Sequence, residues 1–349
     1  MSNAASSLDL NREALKGGMK DYGRPLWRRW FLSIEVAILV AVVVVWIVAS
    51  SVVPYFGSTT TLGFLLLDVT PILMIALPMT LVIVTGEIDL SVASTIGLSS
   101  VMLGVLTKAG MPFELAMVAC LIVGLLAGAI NGFLVTVGGL PSLAVTIGTL
   151  ALFRGIAVGL LGTTAITTFP EFWQNLAQSR FGMSGIPVVM VLVGVLIAIF
   201  AVLLHFTPFG RELFAIGLSK DTAIFSGVRV NRGKFISFVL CGVVSALAGI
   251  FWTLRYGSAR GDNATGLELA IIAAVLLGGV SIFGGKGALH GVIGGVLLIG
   301  VLQSALRLAN VSSDAINIIT GTLLIASVLA PQLLVWSRRF RPSHRRTRE

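Results

Sequence analysis

The sequence predicts an all-α protein: a polytopic membrane helical bundle of about ten transmembrane helices, with both termini cytoplasmic. Three observations carry this reading. Hydrophobic residues fill 56% of the 349 positions and charged residues only 11%, too few for the solvated shell of a soluble domain. Apolar runs of about 20 residues, the length that crosses a hydrocarbon core of about 30 Å, recur along nearly the whole chain. Lys and Arg collect in alternate connections, as the positive-inside rule requires.

Taken in order, residues 1–30 are polar and carry Arg12, Lys16, Lys20, Arg24, Arg28 and Arg29. The apolar run from Phe31 to Val53 is longer than a signal-peptide core and lacks a small-residue cleavage site, so it reads as a retained first span. The spans predicted are 31–53, 63–85, 90–107, 114–136, 141–162, 187–205, 234–254, 267–284, 288–308 and 316–336. Spans three and eight are short, which suggests tilted or broken segments. The membrane domain is then 31–336, between a cytoplasmic segment at 1–30 and a basic tail at 337–349.

Charge fixes the parity. The N-terminal segment and the tail (Arg338 to Arg348) each hold six basic residues, and the 206–234 loop adds Arg211, Lys220, Arg229, Arg232 and Lys234. Lys286 lies on the same side. The opposite loops hold Lys108, Arg180, Arg255 and Arg260, while Arg154 and Arg307 fall within spans. An odd span count would put one arginine-rich end outside. The net charge of +9 is thereby assigned to topology, and no nucleic-acid partner is expected.

Small and polar residues were weighed next. Gly124/Gly128, Gly155/Gly159 and Gly291/Gly295 form GxxxG pairs, which let helix backbones approach in lipid; helix packing is the expectation for all three. The run from Gly278 to Gly287 fails as a Walker sequence, because Val280 stands six before Lys286 and Gly287 replaces the Ser or Thr. A tight turn is expected there. Val101–Leu106 echoes Leu297–Leu302, as a parallel repeat or chance apolar composition would. Cys120 and Cys241 read as buried core residues without a disulfide. His205, His290 and His344 show no metal-ligand spacing. Trp27, Trp30, Trp252 and Trp336 read as interface anchors. Neither an HExxH nor a GxSxG motif occurs.

Charges and hydroxyls within lipid need a reason. Asp89 is placed to cap the third span, with Leu90 as its first helical residue; the alternative is a gate or pathway role, shared with Ser91 and Ser94. Arg154 sits midway along span five and needs an acid such as Asp68 or Glu268, or an aqueous pathway. Ser142, Thr146 and Thr149 share one face of that span. They either present hydroxyls to a polyol or bond back to their own helix. Asn131 is a further pathway candidate or a helix–helix bond. Glu268 opens span eight, where an acid suits the helix dipole.

The 206–234 loop carries the most telling polar sequence. Pro208 and Gly210 end span six. Ser219 is the N-cap of a short helix ending near Gly227. Its residues Ala223, Ile224 and Phe225 need an apolar partner, supplied by a groove on another protein, by the membrane surface or by the bundle itself.

Three ordered motifs resemble one family. Residues 86–94 read G-E-I-D-L-S-V-A-S. The loop matches T-x-F-G-R…A-I-G…S-G at Thr207, Phe209, Gly210, Arg211, Ala215, Ile216, Gly217, Ala223, Ser226 and Gly227. A third run matches at Glu268, Leu269, Ile272, Ala273, Ala274, Val275, Leu277, Gly278, Gly279, Gly284, Gly285 and Gly287. Over about 60–335 the chain resembles the permease subunit of ribose-type monosaccharide ABC importers. Glu87 and Ala93 stand where that family has glycines, Lys220 follows Ser219 without the usual Asn, and Thr222 replaces an alanine. Residues Pro78 to Gly162 look most similar to permeases for rhamnose or the furanose-type autoinducer.

The resemblance implies an importer subunit of the bacterial inner membrane that moves a monosaccharide (a pentose, rhamnose or furanose-type autoinducer). It implies a periplasmic or lipid-anchored sugar-binding protein and a second permease, identical or homologous. Two ATP-binding subunits would dock on the coupling loop through Arg211, Ser219, Lys220, Asp221, Ala223, Phe225 and Gly227. No cofactor is expected on this chain, and ATP and Mg would be used by the partner ATPase. The same machinery for branched-chain amino acids or nucleosides is one alternative, and an ion-coupled secondary transporter is another.

Overall fold

The computed structural model describes residues 34–182 and 184–339, and it is all-helical there. The basic N-terminal segment with Trp27 and Trp30, and the tail from residue 340 with His344, lie outside the described residues, as does the Trp336 side chain.

A helix occupies each predicted span: α1 (Ile34–Val52), α2 (Thr59–Val84), α3 (Val92–Lys108), α4 (Phe113–Thr136) and α5 (Ser142–Leu161) in the first half. A short α6 (Glu171–Gln178) precedes α7 (Met190–His205), α8 (Pro208–Leu218) and α9 (Lys220–Phe225). The second half holds α10 (Val230–Tyr256), α11 (Leu267–Leu277), α12 (Leu289–Leu308) and α13 (Ser313–Arg339). Among the described residues, α2, α4, α5, α10 and α12 are each long and apolar enough to cross a membrane. The α7–α8 pair, bent by 64°, makes a sixth if taken as one.

Helix α2 is the spine. Nearly all of its apolar surface is buried, so its two prolines, Pro71 and Pro78, sit where neighbouring helices rather than lipid surround the freed carbonyls. Helix α10 packs against α2, α3 and α4. Its contact with α4 runs through Gly124, Gly128 and Gly242, where an added Cβ would overlap the facing backbone. This is the close approach that GxxxG spacing allows in lipid. Gly295 likewise abuts Ala274 and Gly278 of the α11 end. The Gly155/Gly159 pair differs: nothing lies within 4 Å of a Cβ at either position. The expected packing is not made within the chain, because α5 lies at the periphery and leaves Ile147, Leu152 and Ile156 exposed.

Three boundaries correct the sequence reading. Span eight was expected over 267–284, but α11 stops at Leu277. Gly279 has φ +89° and Gly284 and Gly285 have φ +82° and +71°, a left-handed run that no helix sustains. Pro208 begins a helix instead of only ending one. Thr207 Oγ1 accepts from Gly210 N (3.3 Å), and Pro at N1 forfeits an amide that would be unpaired anyway. Leu90 is not the first helical residue, since α3 starts at Val92. Cys120 and Cys241 are free and buried, as expected.

Candidate functional site

Two ends of the bundle hold the candidate groups. One contains the α8–α9 segment. The chain turns at 85–91 between α2 and α3, and again at 278–288 between α11 and α12. These two turns meet: Gly285 N donates to Val84 O (2.9 Å). Gly217 of α8 lies against both, and a Cβ there would overlap Val84 O and Gly285 N. Backbone from three remote segments therefore touches at one point, which only glycine permits. His205 Nε2 accepts from Leu289 N (3.3 Å), occupying one of the amides left open at the α12 N-terminus. Glu87 forms an ion pair with Lys234 of α10, tying the 85–91 turn to that helix.

Ser219 caps α9 as expected, accepting from Thr222 N (3.3 Å), and Gly227 follows with φ +80°. Ala223 is buried in the bundle core, so of the three partners open to it the bundle itself supplies this one. Phe225 is 91% exposed. Arg211, Ser219, Lys220, Asp221 and Gly227 are also exposed. Leu218, Ile224 and Phe283 add apolar surface at the same end. Sequence reasoning missed Phe283, which stood inside an expected span.

Just beyond the glycine contact lies a buried polar cluster. Asp89 does not cap α3. Its Oδ1 accepts from Ser91 N (2.9 Å) and Ser91 Oγ (2.7 Å), bracing the turn before the helix. Asn131 Nδ2 donates to Ser91 Oγ (2.7 Å), and Asn131 Oδ1 is buried without a partner. Ser94 Oγ donates to Ser91 O (2.7 Å). Thr146 donates to Ser142 O (2.8 Å) and Ile88 O (3.3 Å), and Thr149 to Val145 O (3.1 Å). Asp89, Ser91, Ser94, Asn131, Thr146 and Thr149 are thus brought together, all buried. The threonine hydroxyls are back-bonded to their own helix.

Arg154 stands apart from that cluster. Neither Asp68 nor Glu268 pairs with it. Its guanidinium donates to Gly261 O and Asn263 O (2.7 Å each) and to Ala93 O (3.2 Å). The segment between α10 and α11 runs non-helically along α3, with Ala259 against Gly104 and Asn263 near Gly97. Asn263 Nδ2 donates to Ser100 Oγ (2.9 Å). Non-helical backbone leaves carbonyls without intrahelical partners, and Arg154 satisfies two in this segment besides one at the start of α3. Above it, Arg260 and Asp262 pair through two bonds (2.8 and 2.9 Å), which hold the Asp262 carboxyl below its ordinary range.

At this opposite end Asp68 takes Arg307 (3.1 Å) and Arg255 (3.6 Å). Arg180 and Arg255 both stack on Phe64. Trp252, expected as an interface anchor, packs on Tyr256 with ring centroids 4.9 Å apart and lines a cavity of about 90 Å³.

Comparison with known proteins places this geometry. Residues 61–328 match the family described as branched-chain amino acid transport system / permease component. The chain is 36% identical over 332 residues to the autoinducer 2 import system permease protein LsrD of Salmonella paratyphi A, covering 91% of this chain and 98% of the relative. It is 37% identical over 298 residues to the LsrD protein of Escherichia coli SMS-3-5, covering 83% and 90%. No solved structure matches.

Proposed function

The chain belongs to the permease component family of these transport systems, and from that premise we propose that it forms half of the membrane pore of an importer for a furanose-type autoinducer. It is a sugar-importer permease, a multi-pass protein of the inner membrane. The single observation behind the substrate class is the near end-to-end likeness to autoinducer 2 import permeases.

The α8–α9 end faces the cytoplasm and both termini lie on that side, which puts the basic residues inside. The bundle then crosses the bilayer about ten times, with α3 and α11 as short segments completed by non-helical chain. The 206–234 loop is the coupling element. Phe225, Ile224, Leu218 and Phe283 present an apolar surface to a separate ATPase, which binds ATP and Mg and performs the hydrolysis. Movement of α8 reaches both turns directly, because Gly217 touches each. The cluster around Asp89 and Asn131 is the inner gate that this movement works, and Arg154 holds the outer segment in register. A second permease copy or homologue packs on the open glycine face of α5. A binding protein delivers the solute from the other side.

The test is uptake into vesicles that contain this chain, a second permease, an ATPase and a binding protein. Autoinducer 2 should accumulate only with internal ATP. Accumulation driven by a proton or sodium gradient alone refutes the proposal. The family description also covers branched-chain amino acids, and leucine accumulation in place of autoinducer 2 would assign that substrate instead.

A further inference from the structure

Six residues from three helices converge on the cavity at the end remote from α8: Asp68 of α2, Trp252 and Tyr256 of α10, and Gln303, Ser304 and Arg307 of α12, with Leu267 of α11 as part of the wall. Charged and aromatic groups there cannot be ascribed to anchoring alone. An ionisable side chain in a membrane span is costly and faces a partner or a cavity, and Asp68 does both.

The cavity wall is under-used. Among the described residues, the Ser304 and Tyr256 hydroxyls and the Trp252 indole N–H have no hydrogen-bond partner. Gln303 spends only its amide nitrogen, on Thr320 Oγ1 (3.1 Å). Three donors and several acceptor lone pairs on the cavity wall are therefore left over for a ligand, and Tyr256, half exposed, is reached from outside. Behind the wall, Arg255 Nε is buried without a partner, which is rare for a buried polar group.

The geometry points to a binding site for a small polyol at this cavity, on the solute-receiving side of the permease. The proposal rests on the importer reading above and adds the contacts that reading lacks. The chemistry fits in three ways. Planar side chains such as Asp, Arg and Gln bond paired hydroxyls through two atoms each. The Trp252 and Tyr256 rings offer apolar faces to ring C–H groups while keeping polar edges for hydroxyls. The volume, about 90 Å³, takes about three water-sized groups at about 30 Å³ each, room for one hydroxylated edge of a pentose.

A zwitterionic amino acid fits less well. Asp68 and Arg307 are already paired with each other, so an ammonium and a carboxylate would have to break that pair. A polyol uses only the lone pairs and N–H groups left over. A free anion meets the Asp68 carboxylate at contact range, which opposes it.

Binding and transport are read separately. The purified chain in lipid nanodiscs, without ATP, is titrated with autoinducer 2, D-ribose and leucine while tryptophan fluorescence is followed. Autoinducer 2 and ribose are expected to give a saturable change that Trp252→Phe removes. Ser304→Ala and Tyr256→Phe should each weaken binding by about fivefold to tenfold, the loss of one hydrogen bond. A flat titration, a response to leucine alone, or curves unchanged by Ser304→Ala and Tyr256→Phe overturn the site. Uptake by the complete importer is the second readout, where the same two variants should raise KM and spare the maximal rate. If binding occurs as described but ATP-driven uptake fails, the site stands and the importer reading falls.

Discussion

The two ends of this bundle are built from different materials. At the α8 end, three segments meet backbone to backbone through Gly86, Gly217, Gly284 and Gly285, with no space between them. At the Asp68 end, helices meet through long charged and aromatic side chains around a cavity of about 90 Å³. The first arrangement leaves no slack, so a displacement of α8 must displace both turns. The second tolerates change, because side chains adopt alternative rotamers and backbones do not. On the proposed function, rigidity thus sits at the end assigned to the ATPase and adaptability at the end assigned to the solute.

The most severe way to break the contrast is Gly217→Ala. The added methyl overlaps two backbones at once, and overpacking of that kind costs about 3 kcal/mol. The detergent melting temperature should fall and ATP-driven uptake should be lost. If Gly217→Ala is as stable and active as the parent, the rigid end is not rigid. Arg154→Leu comes next. It orphans the carbonyls of Gly261 and Asn263 at about 1–3 kcal/mol for each buried unsatisfied group. Proteolysis of the 257–266 segment should accelerate while α9 remains protected.

Phe225→Asp separates force transmission from folding. Because Phe225 is 91% exposed, stability should stay within about 0.5 kcal/mol, while co-purification of the ATPase is lost. Normal assembly and uptake in this variant would remove α9 from the docking surface. Glu87→Gln weakens one ion pair between the turn and α10. The two side chains are only 12% and 17% exposed, so the loss should exceed the about 1 kcal/mol of an exposed pair, and uptake should slow without loss of assembly. The smallest effect is Gly155→Ala. No atom of the chain lies near the new methyl, so the isolated chain should melt unchanged, and any loss should appear only in cross-linking to the second permease.

How much of this could be read in advance depended on whether the cause was local. Hydropathy located a helix in each predicted span, because a long run of apolar residues is what crossing lipid requires. Ser219 and Gly227 bracketed α9, because caps are short-range signals. Helix α8 was missed when Pro208 was taken only as a terminator, although Thr207 before it was the available signal for a new start. The eighth span was drawn too long, since Val280, Ile282 and Phe283 keep the stretch apolar where glycine conformation ends the helix. For Arg154 the sequence offers an acid or an aqueous pathway, because acids are visible in sequence; its hydrogen-bond partners are carbonyls, which every residue has. Asp68, Arg255 and Arg307 lie far apart in the chain, and nothing local foretold their convergence. The glycine contact was equally hidden, because its members belong to three separate turns.

The brevity of α11 has an electrical consequence. Eleven residues rise about 16 Å at 1.5 Å each, roughly half of a 30 Å hydrocarbon layer. The non-helical chain before α11 turns the carbonyls of Gly261 and Asn263 onto the guanidinium of Arg154. Dipoles that a longer helix would line up along its axis are gathered there on one fixed positive charge.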